Sequence, residues 1–112
     1  MNTGYQQRAS IILDRINELA AISETPGVTT RTFGTEAFIK GQAMVASWMK
    51  QAGLQTRIDN IGNVRGRLEC PDVHAQTLVI ASHIDTVINA GKFDGPLGLR
   101  MGLAIIDQLI QT

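Results

Sequence analysis

His83, Asp85 and Asp94 are the residues whose types and spacing could do chemistry. They follow the unbroken apolar run Thr77-Leu78-Val79-Ile80-Ala81-Ser82 and lead into the turn Gly95-Pro96-Leu97-Gly98. In an extended chain, side chains two residues apart share a side, so Asp85 can reach the His83 ring or join its ligand shell. Histidine nitrogen with carboxylate oxygen is the donor chemistry of zinc or manganese. A ligating imidazole usually gives its second N–H to an oxygen acceptor, which fixes the tautomer. A His-x-Asp pair is equally what a hydrogen-bonded surface pair looks like, and Asp94 alone reads as a residue near a helix N-cap.

The elements that must position these residues can be read from the pattern. Residues 77–82, short, apolar and β-branched, predict a strand covered on both faces. Pro96 suits the first turn of a helix, and the glycines before and after it permit backbone closed to other residues. The helix expected over 97–109 is apolar almost all round, as a helix buried between layers should be. Pro96, Arg100, Asp107 and Gln111 share one stripe of it, which predicts a solvent-facing Arg100 with Asp107 nearby. Upstream, Ile12, Ile16, Leu19 and Ala20 recur at helical spacing and predict an amphipathic helix over 5–23. Residues 25–34, rich in breakers and hydroxyls, predict a loop. Thr35 followed by Glu36 opens a second helix with Phe38, Val45, Trp48 and Met49 as its apolar stripe and Gly53 as its end. Alternation in 55–59 and 63–68 around Asn60-Ile61-Gly62 predicts a hairpin with Arg57, Arg65 and Arg67 facing outward. His74, in the loop 70–76, reads as a surface histidine.

Composition bounds the class. Ten basic and ten acidic residues in 112 give no net charge, so no electrostatic footprint for nucleic acid or an anionic membrane is expected. No apolar run is long enough to span a bilayer. Residues 1–8 lack the charged-then-apolar layout of a leader, and the single Cys70 allows no internal disulfide, which together point to a cytoplasmic protein. A chain of this length buries only a modest core.

Taken together, Ser82-His83-Ile84-Asp85-Thr86-Val87 and Gly91-Lys92-Phe93-Asp94-Gly95-Pro96-Leu97-Gly98, closely spaced, resemble the metal-dependent amidohydrolases that include N-carbamoyl-L-amino-acid hydrolases, allantoate amidohydrolases and β-ureidopropionases. This is a branch of the dinuclear zinc aminopeptidase-like hydrolases. The resemblance extends back through residues 62–69, Trp48-Met49 with Ala52-Gly53-Leu54, and residues 15–19. It implies an α/β fold, the N-terminal part of a zinc-aminopeptidase-like catalytic domain in α-α-β-β-β-α order with helices packed on a mixed sheet. It implies that His83 is a terminal ligand to one of two divalent metal ions (Zn or Mn), that Asp94 bridges both, and that Asp85 orients the His83 ring. The loop 25–34 would lie near the site, making Arg31 or Thr32 substrate-side candidates beside their simpler reading as a solvated connector. Arg100 departs from the family, which usually has an apolar residue there.

The same resemblance implies parts this chain does not contain: a Glu-Glu pair with the general base, further histidine ligands, a substrate-clamping arginine, the rest of the catalytic domain and a dimerisation or lid domain. Residues 1–112 are accordingly read as a partial catalytic domain. The expected activity is hydrolysis of non-peptide C–N bonds in a small ureido or amide substrate, N-carbamoyl amino acid or allantoate in type. The family forms homodimers. For the 112 residues alone, weak or absent metal binding, no turnover and self-association are expected. Alternatives are a metallopeptidase of the same superfamily and a non-catalytic remnant or pairing fragment.

Overall fold

The computed structural model describes residues 3–111. Met1, Asn2 and Thr112, over which the readings of the chain's first and last residues extend, lie outside the described residues. Three helices and one hairpin follow in the order α1 (Thr3–Ala20), α2 (Glu36–Gln51), β1 (Gln55–Ile58), β2 (Val64–Arg67) and α3 (Pro96–Gln111). The molecule is a thin plate of 45 × 44 × 18 Å. Its radius of gyration, 14.9 Å, exceeds the roughly 13 Å of a compact domain of this length.

Helix α2 is bounded by the signals in its sequence. The Thr35 hydroxyl accepts from the Phe38 N–H at 3.2 Å, capping the N-terminus. At the other end the Leu54 N–H donates to the Met49 carbonyl and the Gly53 N–H to the Lys50 carbonyl, both at 3.0 Å, with Gly53 left-handed at φ +88°. These paired bonds are a Schellman stop, which a glycine makes without strain.

The apolar stripes meet where expected. Leu19 of α1, Val45, Trp48 and Met49 of α2, Leu54 before β1 and Leu103 of α3 form the buried core. Helix α1 packs on α3, and α2 covers the hairpin. β1 and β2 pair antiparallel with Arg57 opposite Arg65 and Gln55 opposite Arg67. Arg57, Arg65 and Arg67 are exposed.

The expected third strand does not form. Residues 77–82 are assigned to no strand, and the sheet is a two-stranded antiparallel hairpin, not a mixed sheet. The order is therefore α-α-β-β-α. A strand needs a neighbour to take its backbone hydrogen bonds, and none of the described residues lines up beside this run. Its side chains are uncovered: Leu78 is 86% and Val79 77% exposed. Nor is α3 buried all round, since Met101, Ile105 and Leu109 face outward.

Two arginines expected at the surface are buried. Arg31 is fully enclosed, and Arg100 is only 8% exposed. The Arg100 guanidinium lies 4.9 Å from the centre of the Trp48 ring, with Arg15 also over that ring at 5.6 Å. Stacking on an indole face compensates in part for its desolvation. Burial and the neighbouring Arg15 lower the Arg100 pKa, while Asp107 and Glu18 oppose them.

Candidate metal-ligand site at the start of helix α3

Helix α3 positions the site through its glycines. Gly95, just ahead of Pro96, is left-handed at φ +94°, and a Cβ there would strike the His83 carbonyl oxygen and lie 2.8 Å from His83 Nδ1. Further along, a Cβ on Gly98 would meet Ser82 Oγ at 3.0 Å, and one on Gly102 would meet Ile80 Cγ2 at 2.9 Å. These three glycines leave a bare ledge on which residues 80–83 rest. Gly98 and Gly102 thus allow a close approach to the Ser82 and Ile80 side chains within a helix, where no turn geometry asks for glycine. The Ser82 hydroxyl fastens the ledge by donating to the Gly95 carbonyl at 2.7 Å.

The ledge brings the three predicted site residues around one imidazole. His83 Nδ1 lies 3.0 Å from the Asp85 backbone carbonyl and 3.3 Å from Asp85 Oδ1. Both oxygens can only accept, so the ring proton belongs on Nδ1. His83 Nε2, its lone pair then free, lies 3.5 Å from Asp94 Oδ1. Two donors bound at ~2 Å to one tetrahedral cation sit roughly 3.3 Å apart, so this pair fits a shared zinc or manganese ion. Asp85 and Asp94 occupy opposite edges of the ring, so only two donors converge. Accordingly, among the described residues no three His, Cys, Asp or Glu form a metal-holding group. Both carboxylates and the ring are open to solvent, Asp94 the most so at 76%.

The backbone behind the site is held by the loop after α1. The Arg31 N–H donates to Thr86 Oγ1 at 2.7 Å, and the Thr86 N–H donates back to the Arg31 carbonyl at 2.8 Å. Asn89, at φ 53°, donates its N–H to Thr30 Oγ1 at 2.8 Å. From the side chain of Arg31, Nε donates to the Ile84 carbonyl and Nη1 to the carbonyls of Leu19 and Ile22, each at 2.8 Å. Arg31 is therefore neither a solvated connector nor a substrate-side residue here. The arginine's role escaped the sequence because its partners lie up to 55 positions away. Thr32, by contrast, turns to Glu24, donating N–H and hydroxyl to its carboxylate at 2.8 Å and lowering that group's pKa. His74 is exposed, as read, and Cys70 is an exposed free thiol.

Comparison with known proteins bears on this arrangement. No protein-family model matches the chain. It is 48% identical over 85 residues to a probable allantoate deiminase of Oryza sativa subsp. japonica, covering 76% of this chain and 17% of that protein. It is 39% identical over 102 residues to the allantoate amidohydrolase of Bacillus subtilis (strain 168), covering 90% and 25%. With the N-carbamoyl-L-amino acid amidohydrolase of Geobacillus stearothermophilus it shares 37% over 97 residues, 85% of this chain and 24% of the other. The crystal structure of a hydantoinase/carbamoylase family amidase from Burkholderia ambifaria superposes with a TM-score of 0.83 at 30% identity, covering 91% of this chain and 25% of that one. The chain thus spans about a quarter or less of the length of these relatives.

Proposed function

We propose that this chain, a homologue of the allantoate and N-carbamoyl-L-amino-acid amidohydrolases, contributes a ligand pair to a metal-dependent hydrolase of non-peptide C–N bonds. The substrate class is a small ureido or amide compound of the N-carbamoyl amino acid or allantoate type. The observation that carries this reading is the 3.5 Å approach of His83 Nε2 to Asp94 Oδ1, with Nδ1 engaged by Asp85.

In that role His83 and Asp94 would be the residues of this chain that hold a divalent cation, Zn or Mn, with Asp94 the carboxylate that two such ions would share. Such a cation, when bound, acidifies a water and polarises a carbonyl oxygen. Asp85 keeps the His83 proton on Nδ1, so that Nε2 presents its lone pair. Neither carboxylate is spare for proton transfer, and the general base is assigned to no residue of this chain. Residues 1–112 are read as part of a catalytic domain. No helix among the described residues is long and apolar enough to cross a membrane. A free, exposed Cys70 fits a reducing, cytoplasmic setting.

Titration with manganese, followed by NMR of the 112-residue chain, tests the ligand pair. Paramagnetic broadening should centre on residues 83 and 94 and vanish in His83→Ala. Binding should be far weaker than the ~10–16 kcal/mol of four-ligand structural zinc sites. Broadening that leaves His83 untouched would overturn the proposal, and tight one-to-one binding would show that a ligand is missing from it. Hydrolysis of N-carbamoyl amino acids or allantoate by these residues alone should be undetectable, since the general base contributes roughly 10²- to 10⁴-fold.

A second reading, a module that pairs with further polypeptide, is favoured by the exposed apolar run at Leu78 and Val79. An apolar run with unpaired backbone groups is a template for strand addition, in a homodimer or with another segment.

A further inference from the structure

We propose that Arg31 is the positioning residue of the His83–Asp94 site, fixing the tautomer and direction of the His83 ring through the backbone of Ile84 and Thr86. The proposal rests on the metal-hydrolase reading only for what the ring is used for.

Arg31 is 0% exposed, and its bonds run to two parts of the molecule that are distant in sequence. Nη1 gathers the Leu19 and Ile22 carbonyls at the end of α1, while Nε reaches the Ile84 carbonyl, flanked in the chain by His83 and Asp85. The reciprocal backbone and hydroxyl bonds with Thr86 hold the other side of Asp85. Ile84 and Thr86 are thereby fixed, and Asp85, whose two acceptors face His83 Nδ1, is fixed between them.

Stability alone does not explain this residue. Nη2 is buried with no hydrogen-bond partner among the described residues. No carboxylate among the described residues forms an ion pair with the guanidinium. Burial lowers its pKa, and the charge of Asp85 opposes that. An enclosed, incompletely satisfied ion is expensive, and apolar replacements of such groups are often neutral or stabilising. A cap for α1 would need only the Nη1 bonds. The planar guanidinium adds Nε at a fixed angle, which an ammonium cannot reproduce. Space is reserved for it as well: a Cβ at Gly41 in α2 would come within 3.0 Å of Arg31 Cδ and 3.3 Å of Nε.

The test is ¹⁵N-imidazole NMR of the full chain without metal at about pH 9, where exposed imidazoles are neutral. The chain has two histidines, so exposed His74 serves as the internal reference. In the wild type His83 should carry its proton on Nδ1. Arg31→Lys should lower the Nδ1-to-Nε2 proton ratio of His83 at least about fivefold, the equivalent of one hydrogen bond of roughly 1 kcal/mol, and leave His74 unchanged. Gly41→Ala, which favours the helix but crowds the guanidinium, should move the same signal part of the way. Leu54→Ala, a cavity in the core where Leu54 packs beside Gly66 of the hairpin, should lower stability and leave the ratio alone.

A folded Arg31→Lys with an unaltered His83 ratio would reduce Arg31 to an anchor of α1 and overturn the proposal. If Arg31→Lys does not fold, Gly41→Ala decides, and an unchanged His83 signal there is equally fatal. So is a wild type without the Nδ1 proton, or a Leu54→Ala shift as large as that of Arg31→Lys. Manganese broadening that appears elsewhere and leaves wild-type His83 untouched would sink the hydrolase reading and leave this one standing.

Discussion

Gly95→Ala separates two demands that the site makes on one residue. The first is conformational: at φ +94° an alanine is strained by roughly 1–2 kcal/mol. The second is spatial, because the new Cβ would meet the His83 carbonyl oxygen, with Nδ1 at 2.8 Å and Cε1 at 2.9 Å. Relieving contacts of this kind in a packed position costs a further ~1–3 kcal/mol, so the total is about 2–5 kcal/mol. Gly91 supplies the control. It too is left-handed, at φ +76°, but a Cβ there meets nothing within 4 Å, so Gly91→Ala should lose only the first ~1–2 kcal/mol. Thermal and urea denaturation of both variants measures the difference. Each kcal/mol corresponds to about 4–8 °C for a domain near this size. Gly95→Ala should also weaken manganese broadening at His83, because the ring must move off the ledge, whereas Gly91→Ala should not. Equal losses in the two variants, with broadening intact in both, would refute the claim that the imidazole is seated on bare backbone.

Three further outcomes are expected. Thr35→Ala removes the acceptor of the Phe38 N–H and should destabilise the chain by ~1 kcal/mol in urea denaturation, with Thr35→Ser close to wild type. At Asp59, burial raises the carboxyl pKa, but hydrogen bonds from Asn63, Arg65 and Ile61 outweigh it and bring the value to about 2 from the ordinary 3.8. Because the folded-state value is depressed, its contribution to stability is present above pH 3.8 and is lost as the pH falls toward about 2. Asp59→Asn should flatten that part of the stability profile measured by denaturation against pH. Finally, light scattering after size exclusion should find the chain self-associated through the exposed run at Leu78 and Val79, and Val79→Lys should shift it toward monomer. A wild-type monomer at high concentration would contradict this.

What the sequence disclosed was local. The Thr35 cap, the Gly53 stop and the hairpin around Asn60-Ile61-Gly62 are decided by neighbours a few positions away, and each is found in place. The stripes Ile16–Leu19 and Val45–Trp48–Met49 are periodic for the same reason that they are buried. The nearness of Asp85 to His83 was legible from their two-residue offset, whereas Asp94, which alone reads as a residue near an N-cap, was joined to them only by the family resemblance. Arg31 and Arg100 were not legible. An arginine in a hydroxyl-rich loop or on a helix stripe reads as solvated until the Ile84 carbonyl or the Trp48 face is known to be opposite. The apolar run 77–82 misled in the other direction, since apolarity reports what a segment is suited to bury, not whether partners for its backbone are at hand.

That last difference explains how the site is built. Residues 80–86 have no sheet hydrogen bonds to fix them, yet His83 meets Asp94 at 3.5 Å. The segment is held from two directions instead. On one side Gly95, Gly98 and Gly102 let it settle against α3, with Ser82 donating to Gly95. On the other, Arg31 and Thr86 tie it to the loop after α1. α3 follows the turn that bears Asp94, the loop after α1 ties down Ile84 and Thr86, and α1 packs on α3. Because α1 and α3 give Leu19 and Leu103 to the same core as Val45, Trp48, Met49 and Leu54, loosening that helix pair should open the His83–Asp94 gap and the core together.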